Sequence, residues 1–168
     1  MSAPPSPRLL QHLLATDGEA LGDLSTWLHE ADADLGAFGW DARRAVVSLP
    51  FTQEPFGAGG LGPRHLRRTW RYDEFELPLL ACRLLVHDVG RPRLSHPLER
   101  RTVGLLGIAW YPAIEALRID LADGGWIELP ASRVFAEIEV SDQVAAWARR
   151  RVGRWLPYTS TFHAPPPG

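Results

Sequence analysis

The spacing of apolar residues predicts a helical start to the chain. Over residues 9–14 and 20–28 the apolar side chains recur every three or four positions, which is the period of an amphipathic helix. Thr16 and Glu19 have the spacing of a capping box, in which each side chain accepts a hydrogen bond from the backbone N–H of the other. Gly36 can end the second helix. We therefore expect residues 1–36 to form an N-terminal helical segment.

Residues 43–140 change to a period of two, which is typical of β-strands. The alternation in RRAVVSLPF (residues 43–51) predicts one strand, and LLACRLLVH (residues 79–87), apolar on both faces, predicts a central one. In ALRIDLADGGWIELP (residues 116–130) a Gly-rich turn joins two alternating stretches, which predicts a β-hairpin. We expect this β-rich core to contain about six or seven strands, mostly joined by short turns.

After residue 140 the pattern predicts a return to helix. Ser141 or Asp142 can cap a closing helix over residues 142–156, with tryptophans on its apolar side. Residues 159–168 are Pro-rich and are expected to form an extended or disordered tail. The whole order predicts an α+β fold in a single domain over residues 1–158. Its centre is mainly an antiparallel sheet or partial barrel, packed with N-terminal helices and one C-terminal helix.

Composition narrows the class of protein. The chain has 168 residues and a net charge of −2, and its hydrophobic fraction of 45% and charged fraction of 23% are those of an ordinary globular protein. All eighteen Lys and Arg positions are Arg, and the chain also contains no Asn. We attribute the absence of Lys and Asn to a GC-rich bacterial genome. Cys82 is the single cysteine, so no intrachain disulfide and no cysteine-based zinc site is expected. The start lacks signal-peptide features and no apolar stretch is long enough to cross a bilayer, which predicts a cytoplasmic protein without a membrane partner.

The stretch FGAGGLGP (residues 56–63) fits the G-x-G-x-x-G spacing through Gly57, Gly59 and Gly62. Its six residues GAGGLG resemble the nucleotide loop of ubiquitin-activating-type adenylating enzymes, which would imply nucleotide binding. A dinucleotide site, however, needs a strand directly before the loop and a helix directly after it. Here TQEPF separates the predicted strand from Gly57, and Pro63 follows the last glycine. We therefore interpret the stretch as a flexible loop and expect no cofactor.

His87, Asp88 and His96 form the one His/Asp cluster near a predicted strand end. Such clusters can bind metal or activate water. Adjacent residues on a strand point to opposite faces, however, and the spacing to His96 is not that of ligands on one rigid element. We expect solvated histidines, no metal site and no catalytic residue. A small hydrolase or metal enzyme using this cluster remains the second alternative function.

A basic and aromatic cluster is the main candidate for a binding surface. Arginines flanked by exposed aromatic residues are typical of interface centres. The predicted partner-binding residues are Arg64, Arg67, Arg68, Trp70, Tyr72 and Trp126. Acids in the adjacent YDEFE (residues 72–76) could pair with these arginines across a strand.

The cluster leads to a functional hypothesis. We expect a non-enzymatic interaction module whose partner is another protein, as in an adaptor, an accessory subunit or an immunity or antitoxin-like protein. The first alternative is a protein that binds single-stranded nucleic acid, because Arg contacts phosphates and Trp stacks on bases. The sequence pI of 6.3 lies below that of typical nucleic-acid binders. The sequence leaves homo-oligomerisation open.

Overall fold

The computed structural model describes residues 6–57, 60–95 and 102–164. Over these ranges the chain forms twelve strands in one sheet, all paired antiparallel, and one α-helix. The elements in chain order are β1 (Leu9–Ala15), α1 (Gly18–Leu28), β2 (Asp32–Asp34), β3 (Gly39–Asp41), β4 (Val46–Gln53), β5 (Arg64–Arg68), β6 (Tyr72–His87), β7 (Arg93–Leu94), β8 (Thr102–Tyr111), β9 (Ala116–Leu121), β10 (Trp126–Pro130), β11 (Ala136–Gly153) and β12 (Thr159–Ala164). The main path of the sheet is β1-β11-β6-β4-β2-β8-β9-β10-β7, and it does not close.

Two long strands connect the two parts of the molecule. β6 has 16 residues and β11 has 18, and they pair along almost their whole length. At one end they are flanked by β4 and β1, and at the other end by β5 and β12. The register shifts twice in β11 between Val140 and Ala146, where bulges bend the strand. We call residues 64–79 and 144–164, which include β5, β12 and the two turns that join them to β6 and β11, the lobe, and the rest the body.

The hydrophobic core lies in the body. Val47, Leu49 and Phe51 of β4 are buried and the residues between them are partly exposed, which confirms the predicted alternation. The predicted hairpin is also confirmed, because Trp126 of β10 pairs with Asp120 of β9 across the Gly-rich turn. A second, much smaller apolar cluster lies in the lobe.

The N-terminal segment contains one α-helix where two were predicted. Residues 9–15 form β1, which pairs with the body half of β11. The leucine spacing is not a buried helical stripe, since Leu9 and Leu14 are both exposed. The preference for helix was overridden because a strand here covers the open edge of β11. The predicted pair of N-terminal helices is therefore wrong.

The second predicted helix is present as α1, with different ends. It stops at Leu28 rather than near Gly36. Its N-cap is Asp17, whose carboxylate accepts a 2.8 Å hydrogen bond from Ala20 N, so Thr16 does not cap it. No helix in the described residues is long and apolar enough to span a bilayer.

The predicted C-terminal helix is also wrong. Most of residues 142–156 belong to the distal half of β11, which pairs with β6 on one side and β12 on the other. The bulges between Val140 and Ala146 interrupt the period of two, so the alternation in the distal half is out of phase with the preceding strand. The predicted tail forms β12 over residues 159–164, and residues 165–168 lie outside the described residues. The α+β prediction is corrected to an open, mainly antiparallel sheet with one helix.

Candidate partner-binding surface

The lobe concentrates positive charge. It carries eight arginines and only three acids, Asp73, Glu74 and Glu76, although the whole chain has a net charge of −2. The excess follows from the four strands that build the lobe, because β5 and the distal half of β11 both carry Arg-rich runs and β12 carries no acid. The body is correspondingly acidic. This separation of charge favours an anionic or acid-rimmed ligand at the lobe.

One face of the lobe is a regular array of opposite charges. Residues paired across neighbouring antiparallel strands point to the same side of the sheet. One row runs Arg64, Glu76, Arg149 and Phe162 across β5, β6, β11 and β12, and the next row runs Arg67, Glu74, Arg151 and Ser160. Glu74 and Glu76 of β6 therefore each lie between two arginines. We call the side chains of Arg64, Arg67, Glu74, Glu76, Arg149 and Arg151 the Arg–Glu face.

The carboxylates lie beneath the guanidinium groups. Glu74 and Glu76 are buried, and they accept 2.6 Å hydrogen bonds from Arg67 Nε and Arg64 Nη2 respectively. Glu74 Oε1 also lies 3.5 Å from Arg151 Nε. Burial raises the pKa of Glu74, but the hydrogen bond and charge of Arg67 and the other nearby arginines outweigh it, so this pKa lies below its ordinary value. The carboxylate is ionised and shared.

Aromatic rings enclose one of these arginines. The guanidinium carbon of Arg151 lies 4.9 Å from the ring centre of Tyr72 and 5.1 Å from that of Phe162. Arg67 contacts the same tyrosine, because its Nη2 donates to the hydroxyl at 3.1 Å. Cations and rings thus alternate across the Arg–Glu face.

The opposite face of the lobe turns towards the body. Arg68 Nε donates to Asp73 at 2.9 Å, and this hydrogen bond is the main reason that the pKa of Asp73 is lowered. Arg150 pairs with Glu54, which follows β4 of the body. A cleft of about 780 Å³ lies between the two parts, lined in part by Arg150 and His163. The ion pair between Arg150 and Glu54 bridges this cleft.

The far end of the lobe is an exposed apolar tip. The β5–β6 turn and the β11–β12 turn lie side by side, because Arg154 N donates to Arg71 O at 2.9 Å and Trp155 Nε1 donates to Trp70 O. Trp70, Trp155 and Leu156 are 69%, 75% and 74% exposed. We call Trp70, Arg71, Arg154, Trp155 and Leu156 the tip. Exposed tryptophans beside arginines are the residues that most often dominate binding energy at interfaces.

The structure brings five of the six predicted partner-binding residues into the lobe. Arg64, Arg67 and Tyr72 lie on the Arg–Glu face, Arg68 lies on the opposite face and Trp70 lies at the tip. Trp126 lies elsewhere, on β10, with four strands between it and β6 in the sheet. Its ring is 5.2 Å from the guanidinium carbon of Arg118.

Sequence reasoning missed the contribution of β11 and its turn. Arg149, Arg151, Trp155 and Leu156 all belong to the segment that was predicted to be a helix. A signal was present, because Gly153 and the Trp-Leu-Pro sequence after it are typical of a hairpin turn. On that signal, Trp155 would have been predicted to lie exposed in a turn and not buried on the apolar side of a helix.

The other candidate groups are engaged in structural contacts. His87 Nε2 lies 2.6 Å from Glu137 Oε1, and Asp88 pairs with Arg133. His96 lies outside the described residues. Within the described ranges no group of three His, Cys, Asp or Glu side chains could hold a metal ion.

In the described part of the chain, the glycine stretch lacks both flanking elements of a dinucleotide site. β4 ends at Gln53, four residues before Gly57, and the next strand or α-helix in the described residues is the strand β5. Gly59, the middle glycine of the motif, lies outside the described residues. Among the residues that the structure describes here, no α-helix begins at the stretch to bind a pyrophosphate at its N-terminus.

Comparison with known proteins adds no further constraint. The chain matches no protein-family model, no curated protein and no solved structure.

Proposed function

We propose that this chain is a non-enzymatic protein-binding module of the cytoplasm that binds its partner through the tip of the lobe. The observation that carries the proposal is the pair of adjacent turns that holds two tryptophans and a leucine, each more than two-thirds exposed, at one end of the molecule. Large apolar side chains that project together from a soluble domain mark an interaction site.

Hydrogen bonds and a cation–π contact hold the tip in one conformation. Trp155 Nε1 donates to Trp70 O, and Arg154 donates to Thr69 O at 3.0 Å through its side chain and to Arg71 O through its backbone. Arg71 also lies over the ring of Trp70, with 4.5 Å between the guanidinium carbon and the ring centre. Because the tip is ordered before binding, less conformational entropy is lost on association.

The side chains of the tip indicate what kind of surface the partner presents. Trp155 and Leu156 would occupy an apolar pocket, and Arg71 and Arg154 would pair with acids on its rim. This division suits a partner protein with a concave apolar site surrounded by Asp and Glu. The identity of the partner will show whether the module is an adaptor, an accessory subunit or an immunity or antitoxin-like protein. A second copy of the chain is one of the partners to be tested.

Crosslinking from the tip tests this proposal. A photoreactive phenylalanine analogue in place of Leu156, expressed in the native host, should capture one protein, and the same analogue in place of Trp40 on β3 should not. Trp40 is a matched control because it is also exposed but lies on the body.

Affinity for the captured protein then gives the decisive measurement. Trp155→Ala should weaken binding by about 100-fold, as expected for the loss of an interface anchor, and Trp40→Ala should change it less than about twofold. Equal losses in both variants, or capture of the same protein from both positions, would exclude the tip as the binding site.

A further inference from the structure

We propose that the Arg–Glu face is a separate site for single-stranded nucleic acid. In this site the phosphodiester backbone lies over the rows of guanidinium groups and the bases stack against Tyr72 and Phe162. The site uses a face of the lobe rather than its tip, so it does not depend on the proposed protein partner.

Burial of the carboxylates makes the face cationic. Its four arginine side chains are 37% to 68% exposed, but those of Glu74 and Glu76 are only 2% and 7% exposed. A ligand that approaches the sheet therefore meets four positive groups before it meets the two negative ones. Long-range attraction of a polyanion follows from this arrangement.

The carboxylates orient the arginines without using all their donors. Glu74 is shared by Arg67, Arg149 and Arg151, with nitrogen–oxygen distances of 2.6, 4.0 and 3.5 Å. Only Arg67 makes a hydrogen bond to it, while Arg149 Nε and Arg151 Nε are buried and have no acceptor in the described part of the chain. The terminal N–H groups of Arg149 and Arg151 make no hydrogen bond within the described ranges, and the nearest carboxylate oxygen to Arg149 Nη1 is 4.0 Å away, so these groups are available for phosphate oxygens, which the guanidinium fork matches.

The repeat of the face suits an extended phosphodiester chain. Arg149 and Arg151 are two residues apart on β11, and an antiparallel strand rises about 3.4 Å per residue, so the two rows lie about 7 Å apart. This spacing is comparable to the distance between successive phosphates of an extended single strand. The four neighbouring strands of the lobe span about 14 Å, which is wider than the major groove of about 12 Å, and this favours a single strand over a double helix.

Aromatic rings distinguish this face from a simple basic patch. Tyr72 and Phe162 lie on either side of Arg151, and Phe162 is exposed. Rings interleaved with arginines form the platform on which bases stack regardless of sequence.

Oligonucleotide binding by the full chain tests the inference. Fluorescence anisotropy with labelled oligo-dT and oligo-U of about 12 nucleotides should show binding that weakens steeply between about 50 and about 200 mM salt. Arg149→Gln combined with Arg151→Gln should lower affinity at least about 10-fold and reduce the slope of log K against log salt by about 1.4, as expected for two lost phosphate contacts.

The matched control removes the same charge from the body. Arg83 and Arg133 are exposed and each is paired with one carboxylate, so Arg83→Gln combined with Arg133→Gln should leave affinity within about twofold. Phe162→Leu should weaken binding without changing the salt slope, because it removes stacking and no charge. Circular dichroism confirms that each variant is folded.

Four results would overturn the inference. They are the absence of oligonucleotide binding, equal losses in the lobe and body double variants, loss of salt slope in Phe162→Leu, and an acidic peptide of the same length and charge binding as tightly as the oligonucleotide. Trp155→Ala should retain oligonucleotide binding while it loses the protein partner, so failure of this inference is distinguishable from failure of the proposed function.

Discussion

Arg67 on β5 holds Glu74 on β6 in a hydrogen bond of 2.6 Å, from a guanidinium group that is 57% exposed to a carboxylate that is 2% exposed. The same bond is the main reason that the pKa of Arg67 is raised. Arg151 of β11 approaches the carboxylate from the other side. Glu74 therefore links three strands of the lobe through one buried charge.

Replacement of this carboxylate should destabilise the lobe. In Glu74→Gln the arginines around the site lose their common counter-charge, and we expect a loss of about 1–3 kcal/mol, less than for a fully buried pair because the arginines are partly exposed. Hydrogen exchange of the amides in β5 and in the distal half of β11 should accelerate before that of the body. Glu139→Gln, which removes a more exposed carboxylate paired with Arg83 alone, should cost less than about 1 kcal/mol. Equal effects of the two substitutions would contradict this account of Glu74.

The contacts of Glu137 predict that the stability of the body depends on pH. Its two carboxylate oxygens lie 2.5 Å from His12 Nε2 on β1 and 2.6 Å from His87 Nε2 on β6. Since a carboxylate only accepts hydrogen bonds, each Nε2 is the donor. Burial raises the pKa of Glu137, but these two hydrogen bonds and the histidine charges outweigh it and leave the pKa below its ordinary value of 4.5.

The sign of the effect follows from that depressed pKa. The contribution of Glu137 is fully present above pH 4.5 and is lost as the pH falls through the folded-state pKa. Glu137→Gln should therefore be less stable than the natural chain by about 1–3 kcal/mol at neutral pH, and the difference should shrink as the pH falls below 4.5. Urea unfolding at several pH values measures it. A difference that stays constant over this range would show that Glu137 does not act through its charge.

Local sequence patterns predicted the pairing of strands correctly where the interacting residues are close in sequence. The acids of YDEFE were expected to pair with the neighbouring arginines across a strand, and Arg64 and Arg67 do lie opposite Glu76 and Glu74. The β9–β10 hairpin was predicted for the same reason, because a short turn fixes both the partner and the register.

Local patterns failed where the fold depends on distant pairing. The distal half of β11 is a strand because β6, about 70 residues earlier, and β12 satisfy its backbone hydrogen bonds. Its own sequence has the apolar spacing of a helix, and the bulges after Val140 hide the period of two. The tip could not be predicted for a related reason, since it requires Trp70 and Trp155 to meet from two separate turns.

Cys82 should be chemically inert in the folded protein. Burial raises the pKa of its thiol to about 12, and Sγ lies 3.6 Å from Leu80 O inside the core. Because the thiolate is the reactive form, an aromatic disulfide reagent at about pH 8 should label the native chain only as fast as the body opens. The same reagent should label the urea-unfolded chain at once. Immediate labelling of the native protein would show that the β4–β6–β11 core is open to solvent.

Gly153 connects the stability of the lobe to the geometry of the tip. It ends β11, and its N–H donates to Tyr158 O at 2.9 Å to close the β11–β12 turn. A Cβ at this position would collide with the carbonyl oxygen of Leu156 and the ring of Tyr158. Gly153→Ala should therefore displace the turn that carries Trp155, lower the melting temperature and weaken partner binding together.

A second glycine supplies the control for this substitution. Gly22 on α1 has no atom within 4 Å of an added Cβ, so Gly22→Ala should leave binding unchanged and stabilise the helix by up to about 1 kcal/mol. If Gly153→Ala keeps the melting temperature but loses the partner, the turn acts at the interface alone. If it loses stability but keeps full affinity, the position of Trp155 is not set by this turn, and the tip must recognise its partner in another conformation.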